Sequence, residues 1–131
     1  MATIRPGTRS VLLLVDVQVG VVAEASDVSR QIGNMALAVK KARDAGVSVV
    51  WVQHEDEDLV RGSPEWQWVP ALVPQAGDAR VYKNFNSSFE QTTLEAELAA
   101  RGVSHIVLAG AVTGWCIRAT AYAALERGYD L

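Results

Sequence analysis

Three times in this chain a helical stretch ends on a glycine and passes at once into a β-rich run. The first copy reads Lys41-Ala42-Arg43-Asp44-Ala45-Gly46-Val47 and the second Ala99-Ala100-Arg101-Gly102-Val103. A third begins at Leu125-Glu126-Arg127-Gly128-Tyr129. Glycine suits the left-handed residue that closes a helix, so each copy marks a helix handing over to a strand. The runs Val47 to Val52 and His105 to Ala109 are largely apolar, and Val11 to Val15 is wholly so. Strands read this way when helices cover both faces of their sheet. Alternating strands and helices of this kind predict an α/β fold: a parallel sheet in a three-layer α/β/α arrangement.

The helices carry their own signals. Val28, Ile32, Met35, Val39 and Ala42 recur at steps of three and four, one apolar face of a helix. Thr92-Thr93-Leu94-Glu95 has the pattern of a capping box opening a second helix, with Leu94 and Leu98 on one face. From Glu55 to Ala79 the chain is irregular, with Pro64, Pro70, Pro74, Trp66 and Trp68, and loops this long in compact domains usually serve function. At 131 residues, half of them hydrophobic, the chain is expected to form a single domain over 1–131. A net charge of −3 without a basic stripe argues against nucleic acid as a partner. No apolar run near the start is long enough to cross a membrane, and the opening residues lack a signal-peptide pattern. A soluble, cytoplasmic protein is the expectation.

Ligands of open parallel sheets bind outside the carboxyl ends of the strands. Asp16 stands there after Leu12-Leu13-Leu14-Val15, Lys83 after Ala79-Arg80-Val81-Tyr82, and Cys116 shortly after the run ending at Ala109. Taken singly, each has a plainer reading. A lone cysteine is commonly a small buried hydrophobe, an aspartate at a strand end a turn residue, and a lysine a solvated side chain. Together they make chemical sense: a carboxylate takes the thiol proton and returns it to a leaving amine, while an ammonium stabilises the thiolate. Cys116 is the only cysteine, and Gly110-Ala111-Val112-Thr113-Gly114-Trp115-Cys116 places it at the start of a helical stretch. The helix terminus is expected to favour the thiolate; a catalytic thiolate would react with iodoacetamide well below pH 8, whereas a buried structural thiol would react slowly or not at all. Gly110 and Gly114 are four apart, which does not fit the glycine spacing of a dinucleotide turn.

Three segments, in order and at matching spacing, resemble the isochorismatase-like cysteine hydrolases, a family that includes nicotinamidases, carbamoylsarcosine amidases and streptothricin hydrolases. They are Val15-Asp16-Val17-Gln18, Tyr82 to Phe89, and Leu108 to Cys116, within a resemblance running from about Ser10 to the end. It implies a Rossmann-like sheet in the order 3-2-1-4-5-6 and a catalytic triad of Asp16, Lys83 and Cys116. It also implies a cis peptide between Ala111 and Val112, and an oxyanion hole made by the backbone N–H groups of Val112 and Cys116. The implied reaction is hydrolysis of a small-molecule amide through a Cys116 thioester, without a cofactor. Cleavage of an enol ether, or a non-catalytic assembly role, are the alternatives.

Two departures bear on these expectations. Nicotinamidases carry an aspartate and histidines after the second strand that bind a metal, whereas Val52 to Asp58 here holds one histidine, His54. His54 is expected to be a solvated loop residue, and no catalytic metal is expected. The chain also supplies four strands and the first residues of a fifth, so its C-terminal strands are expected to be missing, leaving the fourth strand as an apolar edge or covered by a partner. Trp66, Trp68, Phe89 and Trp115 are candidates for lining a substrate pocket, and tryptophans of this kind equally suit the interface of a homodimer or homotetramer.

Overall fold

The structure is a computed structural model and describes residues 4–131. Its elements follow the chain as β1 (Arg9–Val15), α1 (Val19–Val22), α2 (Val28–Asp44), β2 (Ser48–His54) and β3 (Ala79–Lys83). Then come α3 (Leu94–Ala100), β4 (Val103–Gly110), a π-helical turn (Thr113–Ile117) and α4 (Arg118–Glu126). The four strands are parallel and lie in the order β3-β2-β1-β4. This is the α/β arrangement expected, with the first four strands in the order 3-2-1-4.

The apolar runs divide by alternation, because successive strand residues point to opposite faces. Val11, Leu13 and Val15 of β1 pack with Val50, Val52, Val81, Ile106 and α3 residues Leu94 and Leu98. Leu12 and Leu14 face the other way, with Val49, Trp51 and the α2 residues Val28, Ile32, Met35 and Val39. Those α2 positions are the apolar face read from the sequence. At the ends of the three helix–strand units, Gly46, Gly102 and Gly128 have φ of 70°, 65° and 84°, the left-handed closure anticipated.

Two expectations need correction. No side-chain cap closes α3 at its N-terminus; the N–H of Leu94 donates instead to Thr92 Oγ1 at 3.2 Å. Glu95 does not reach back to complete a capping box, because Arg5 and Arg127 take its carboxylate into ion pairs. Alongside β4, the outer edge is not wholly open: Asp130 N–H donates to Ser104 O at 2.9 Å, and Ile106 N–H to Asp130 O at 2.8 Å. Further along the same strand, Val107 stays half-exposed. Among the described residues no helix is long and apolar enough to cross a membrane.

The order of strand addition reverses at β1: β2 and β3 lie to one side of it, and β4 to the other. A crevice at the carboxyl ends of the strands forms at such a switch point. Gly110 controls how closely the two strands approach there. Its φ is 139°, and a Cβ on it would lie 2.0 Å from Val15 O. The next N–H, of Ala111, donates to that same carbonyl at 2.8 Å. Gly110→Ala is therefore expected to destabilise the fold by roughly 3 kcal/mol or more, combining backbone strain with a clash that neither strand can relieve. Urea denaturation measures this, and a loss under about 1 kcal/mol would contradict it.

Candidate active site

Each candidate side chain stands at the end of a strand or in the turn that follows one. Asp16 follows β1 directly with φ of 57°, a left-handed conformation that aspartate tolerates better than most residues. Its N–H is held by Val52 O at 2.9 Å, tying it to β2. Lys83 is the last residue of β3, and His54 the last of β2; the two are register partners across the β2–β3 pair. Cys116 sits in the π-helical turn after β4 and is buried.

Lys83 lies at the centre of the cluster, with a fully buried side chain. Its Nζ is 2.9 Å from Asp16 Oδ2, 3.1 Å from Cys116 Sγ and 3.0 Å from His54 Nδ1, and it donates to Phe85 O at 2.9 Å. Sequence reasoning expected Asp16, Lys83 and Cys116 to converge, and the structure brings these three side chains together. Asp16 Oδ1 is buried and, among the described residues, has no hydrogen-bond partner. Asn86 Oδ1 lies 3.9 Å from Cys116 Sγ.

Burial governs the protonation of the acid and the thiol. Desolvation raises the Asp16 carboxyl above the ordinary carboxylate range, although the Lys83 charge pulls the other way. Burial, followed by the facing Asp16 carboxylate, pushes the Cys116 thiol up to about 11. This overturns the expectation of a thiolate favoured by a helix terminus. The sulfur is enclosed and faces an anion, and these effects exceed the help from Lys83. At neutral pH the sulfur beside the Asp16–Lys83 pair is therefore a neutral thiol.

His54 is also corrected. It is no solvated loop residue: its side chain is mostly buried, with Nδ1 on Lys83 and Nε2 2.9 Å from Asp56 Oδ2. The sequence reading ended the second strand at Val52, which put His54 in a loop; the strand runs on to His54 and so presents it at a carboxyl end. Applied to the true strand end, the rule that selected Asp16 and Lys83 selects His54 as well. Gln18 was another residue without an assigned role. It is fully buried, and its amide clamps the His54 backbone, accepting from the His54 N–H and donating to the His54 carbonyl, both at 3.0 Å.

A metal does not fit this donor set. Ligand atoms of Asp16, His54 and Cys116 lie within 4.8 Å of one another, but they converge on the Lys83 ammonium, which fills the point a cation would take.

Of the four aromatic residues expected near a pocket, three serve packing instead. Trp66 is buried against Tyr82, and its carbonyl receives the side-chain amides of Gln18 and Gln53. Trp68 meets Trp51 edge-on at 4.9 Å, in the core beneath α2. Phe89 belongs to the opposite core, beside Tyr129. Two tryptophans thus anchor the long 55–78 segment, whose aromatic content reflects packing of the loop on the sheet. Only Trp115 is exposed, at 66%, next to the thiol and in a shallow hollow with Asn86, Arg118 and Tyr122. A separate cavity of about 240 Å³ opens against the Ala111–Val112 peptide, lined by Val22, Ile32, Met35 and Thr113 among others, and Asp16, Lys83 and Cys116 do not line it. That peptide is cis. Around it, Val112 O accepts the N–H groups of Trp115 at 3.0 Å and Ile117 at 3.3 Å.

A parallel α/β sheet with acid, ammonium and thiol gathered at its switch point is the class of protein these features define. The Isochorismatase domain model matches residues 10–131, and the chain belongs to the isochorismatase family. It is 40% identical over 82 residues to maleamate amidohydrolase from Pseudomonas putida, a match covering 61% of this chain and 38% of that protein. The chain thus matches well under half the length of that relative. Among solved structures, it resembles a cysteine hydrolase from Pseudomonas syringae pv. phaseolicola at a TM-score of 0.83 and 26% identity, covering 98% of this chain and 72% of the other. An N-carbamoylsarcosine amidase from Thermoplasma acidophilum matches at a TM-score of 0.82 and 27% identity, covering 93% and 79%.

Two outcomes follow from the site's electrostatics. With the thiol titrating near 11, the rate of Cys116 alkylation by iodoacetamide should climb about tenfold per pH unit from pH 7 and level off only near 11. A plateau reached below pH 8 would contradict the raised thiol. Lys83→Met, which leaves the buried Asp16 carboxylate without its cation, should cost about 3–5 kcal/mol at pH 7 in urea denaturation. Stability unchanged in that variant would mean that the ion pair is not buried as described.

Proposed function

We propose that the chain is a cysteine hydrolase domain that cleaves the C–N bond of a small-molecule amide, with Cys116 as nucleophile, Asp16 as proton carrier and Lys83 as electrostatic anchor. The observation carrying this reading is the placement of one buried ammonium within 3.1 Å of both a carboxylate and the sole thiol. Support comes also from the amidohydrolase and amidase among the relatives. A raised carboxyl suits a proton carrier, because a base with higher proton affinity takes a thiol proton at lower cost.

The reaction would run in two halves. Asp16 accepts the Sγ proton as the sulfur bonds to the amide carbonyl carbon, and the carbonyl electron pair moves onto oxygen. The backbone N–H groups of Val112 and Cys116 receive that oxyanion, with each essential donor worth roughly 3–4 kcal/mol in comparable acyl-transfer sites. The C–N bond then breaks, and the nitrogen leaves with the proton held by Asp16. Water, deprotonated by the same carboxylate, attacks the thioester; the acid is released and the proton passes back to sulfur. Throughout, Lys83 stays beside both Asp16 and Cys116, and it attracts the carboxylate whenever Asp16 is ionised. Homo-oligomeric assembly belongs to the same reading, supported by the exposed Trp115 and Tyr122 on one side of the site.

The test is a screen of small amides with the wild-type chain, Cys116→Ala and Asp16→Asn. Cys116→Ala should abolish turnover, and Asp16→Asn should lower kcat by about 10²–10⁴-fold. Full hydrolysis by Cys116→Ala would end this proposal.

A further inference from the structure

We infer that His54 is a positioning residue for the Lys83 ammonium, acting as a neutral imidazole whose proton is fixed on Nε2. The functional part of this inference rests on the hydrolase reading above; the tautomer itself rests on contacts alone. A lysine ammonium has three protons and no lone pair, so the ring nitrogen 3.0 Å from Nζ must offer a lone pair. Nδ1 is then unprotonated, and the proton of the neutral ring sits on Nε2, facing Asp56 Oδ2 at 2.9 Å. The other tautomer would aim an N–H at the ammonium and a lone pair at the carboxylate, spoiling both contacts together. The ring has little freedom to escape this choice, because the buried Gln18 amide holds the backbone of His54 on both sides.

This placement meets a need that the triad alone does not meet. In the proposed reaction the negative charge leaves Asp16 for the substrate oxygen and later returns, so the attraction of Asp16 for Lys83 falls and rises during turnover. The other two neighbours of Lys83 Nζ, His54 Nδ1 and Phe85 O, are neutral and do not change; each takes one of the three protons, and the third lies between Asp16 and Cys116. They keep Nζ between the acid and the sulfur while the charge moves. Besides Lys83, the titratable groups facing the imidazole are Asp16, Cys116 and, from its own segment, Asp56.

Long-range ¹H–¹⁵N spectra of the wild-type chain at pH 8, with His105→Gln to assign the two histidines, read the tautomer without any substrate. A neutral ring protonated on Nε2 is expected; a ring protonated on Nδ1, or an imidazolium, would overturn the inference. Function is read by comparing His54→Leu with His54→Asn, whose side-chain oxygen can take the place of Nδ1. His54→Leu should slow iodoacetamide alkylation of Cys116 at pH 9 by about threefold or more, and His54→Asn should restore the wild-type rate. Amide hydrolysis should follow the same order, with kcat reduced about tenfold or more in the leucine variant and KM little changed. Wild-type alkylation and kcat in His54→Leu would overturn the positioning role. A chain that shows the expected tautomer and alkylation order but hydrolyses no amide would fail the hydrolase reading and leave the tautomer and the hold on Lys83 standing.

Discussion

The buried ammonium of Lys83 is the contact on which the rest of the site depends. A charge taken this far from water is tolerated only when paired and hydrogen-bonded, and here the pairing draws on three strands and the turn after a fourth. β1 contributes Asp16, β2 contributes His54, β3 supplies the lysine itself, and the turn after β4 brings Cys116. Their meeting follows from sheet register. Val15 is aligned with Val52 on one side and Gly110 on the other, so the residues just beyond them emerge at one level. A slip of one residue in any pair would turn a partner to the opposite face and leave the charge unpaired. Packing of the strands and placement of the charge are therefore one constraint.

Much of this was legible in the sequence, for reasons that can be traced to particular residues. The alternating core was readable because Val11 to Val15 is too apolar to face water on either side, and the α2 face because Val28, Ile32, Met35 and Val39 keep a helical period. Asp16, Lys83 and Cys116 were found by a rule about strand ends. The same rule missed His54 because Gln53 and His54 are polar, and polarity suggested a loop; in fact Gln53 is buried and bonds to the Trp66 carbonyl within a continuing strand. The 55–78 segment misled in the other direction. Its tryptophans were legible as aromatic groups near a site, but which face of the loop they occupied depends on contacts with Trp51 and Tyr82 that no local pattern reveals.

The protonation of Cys116 was the least legible property, because it is a difference between large opposing effects. Sequence position suggests a helix terminus and hence a lowered thiol. Burial and the facing carboxylate act the other way and outweigh Lys83. The outcome has a physical logic for the proposed hydrolase. A free thiolate would have to be held in a desolvated site in the resting state, where it is costly and open to oxidation. In the proposed mechanism, a neutral thiol beside the Asp16 carboxyl would defer that cost until a carbonyl carbon is present to take the sulfur's electrons.

The choice of an ammonium at the centre, in a donor set that could otherwise serve a metal, fits the same logic. A divalent cation beside the sulfur would deprotonate it outright and keep it as a ligand, reducing its availability as a nucleophile. An ammonium carries one charge and forms no coordinate bond, so it can favour the thiolate without capturing it. It can also donate hydrogen bonds to a carboxylate, an imidazole and a backbone carbonyl together, which fixes its position from several directions. Lys83 thus sits where a cation would sit, and in the proposed reaction it would leave the sulfur free to form and break a bond to carbon.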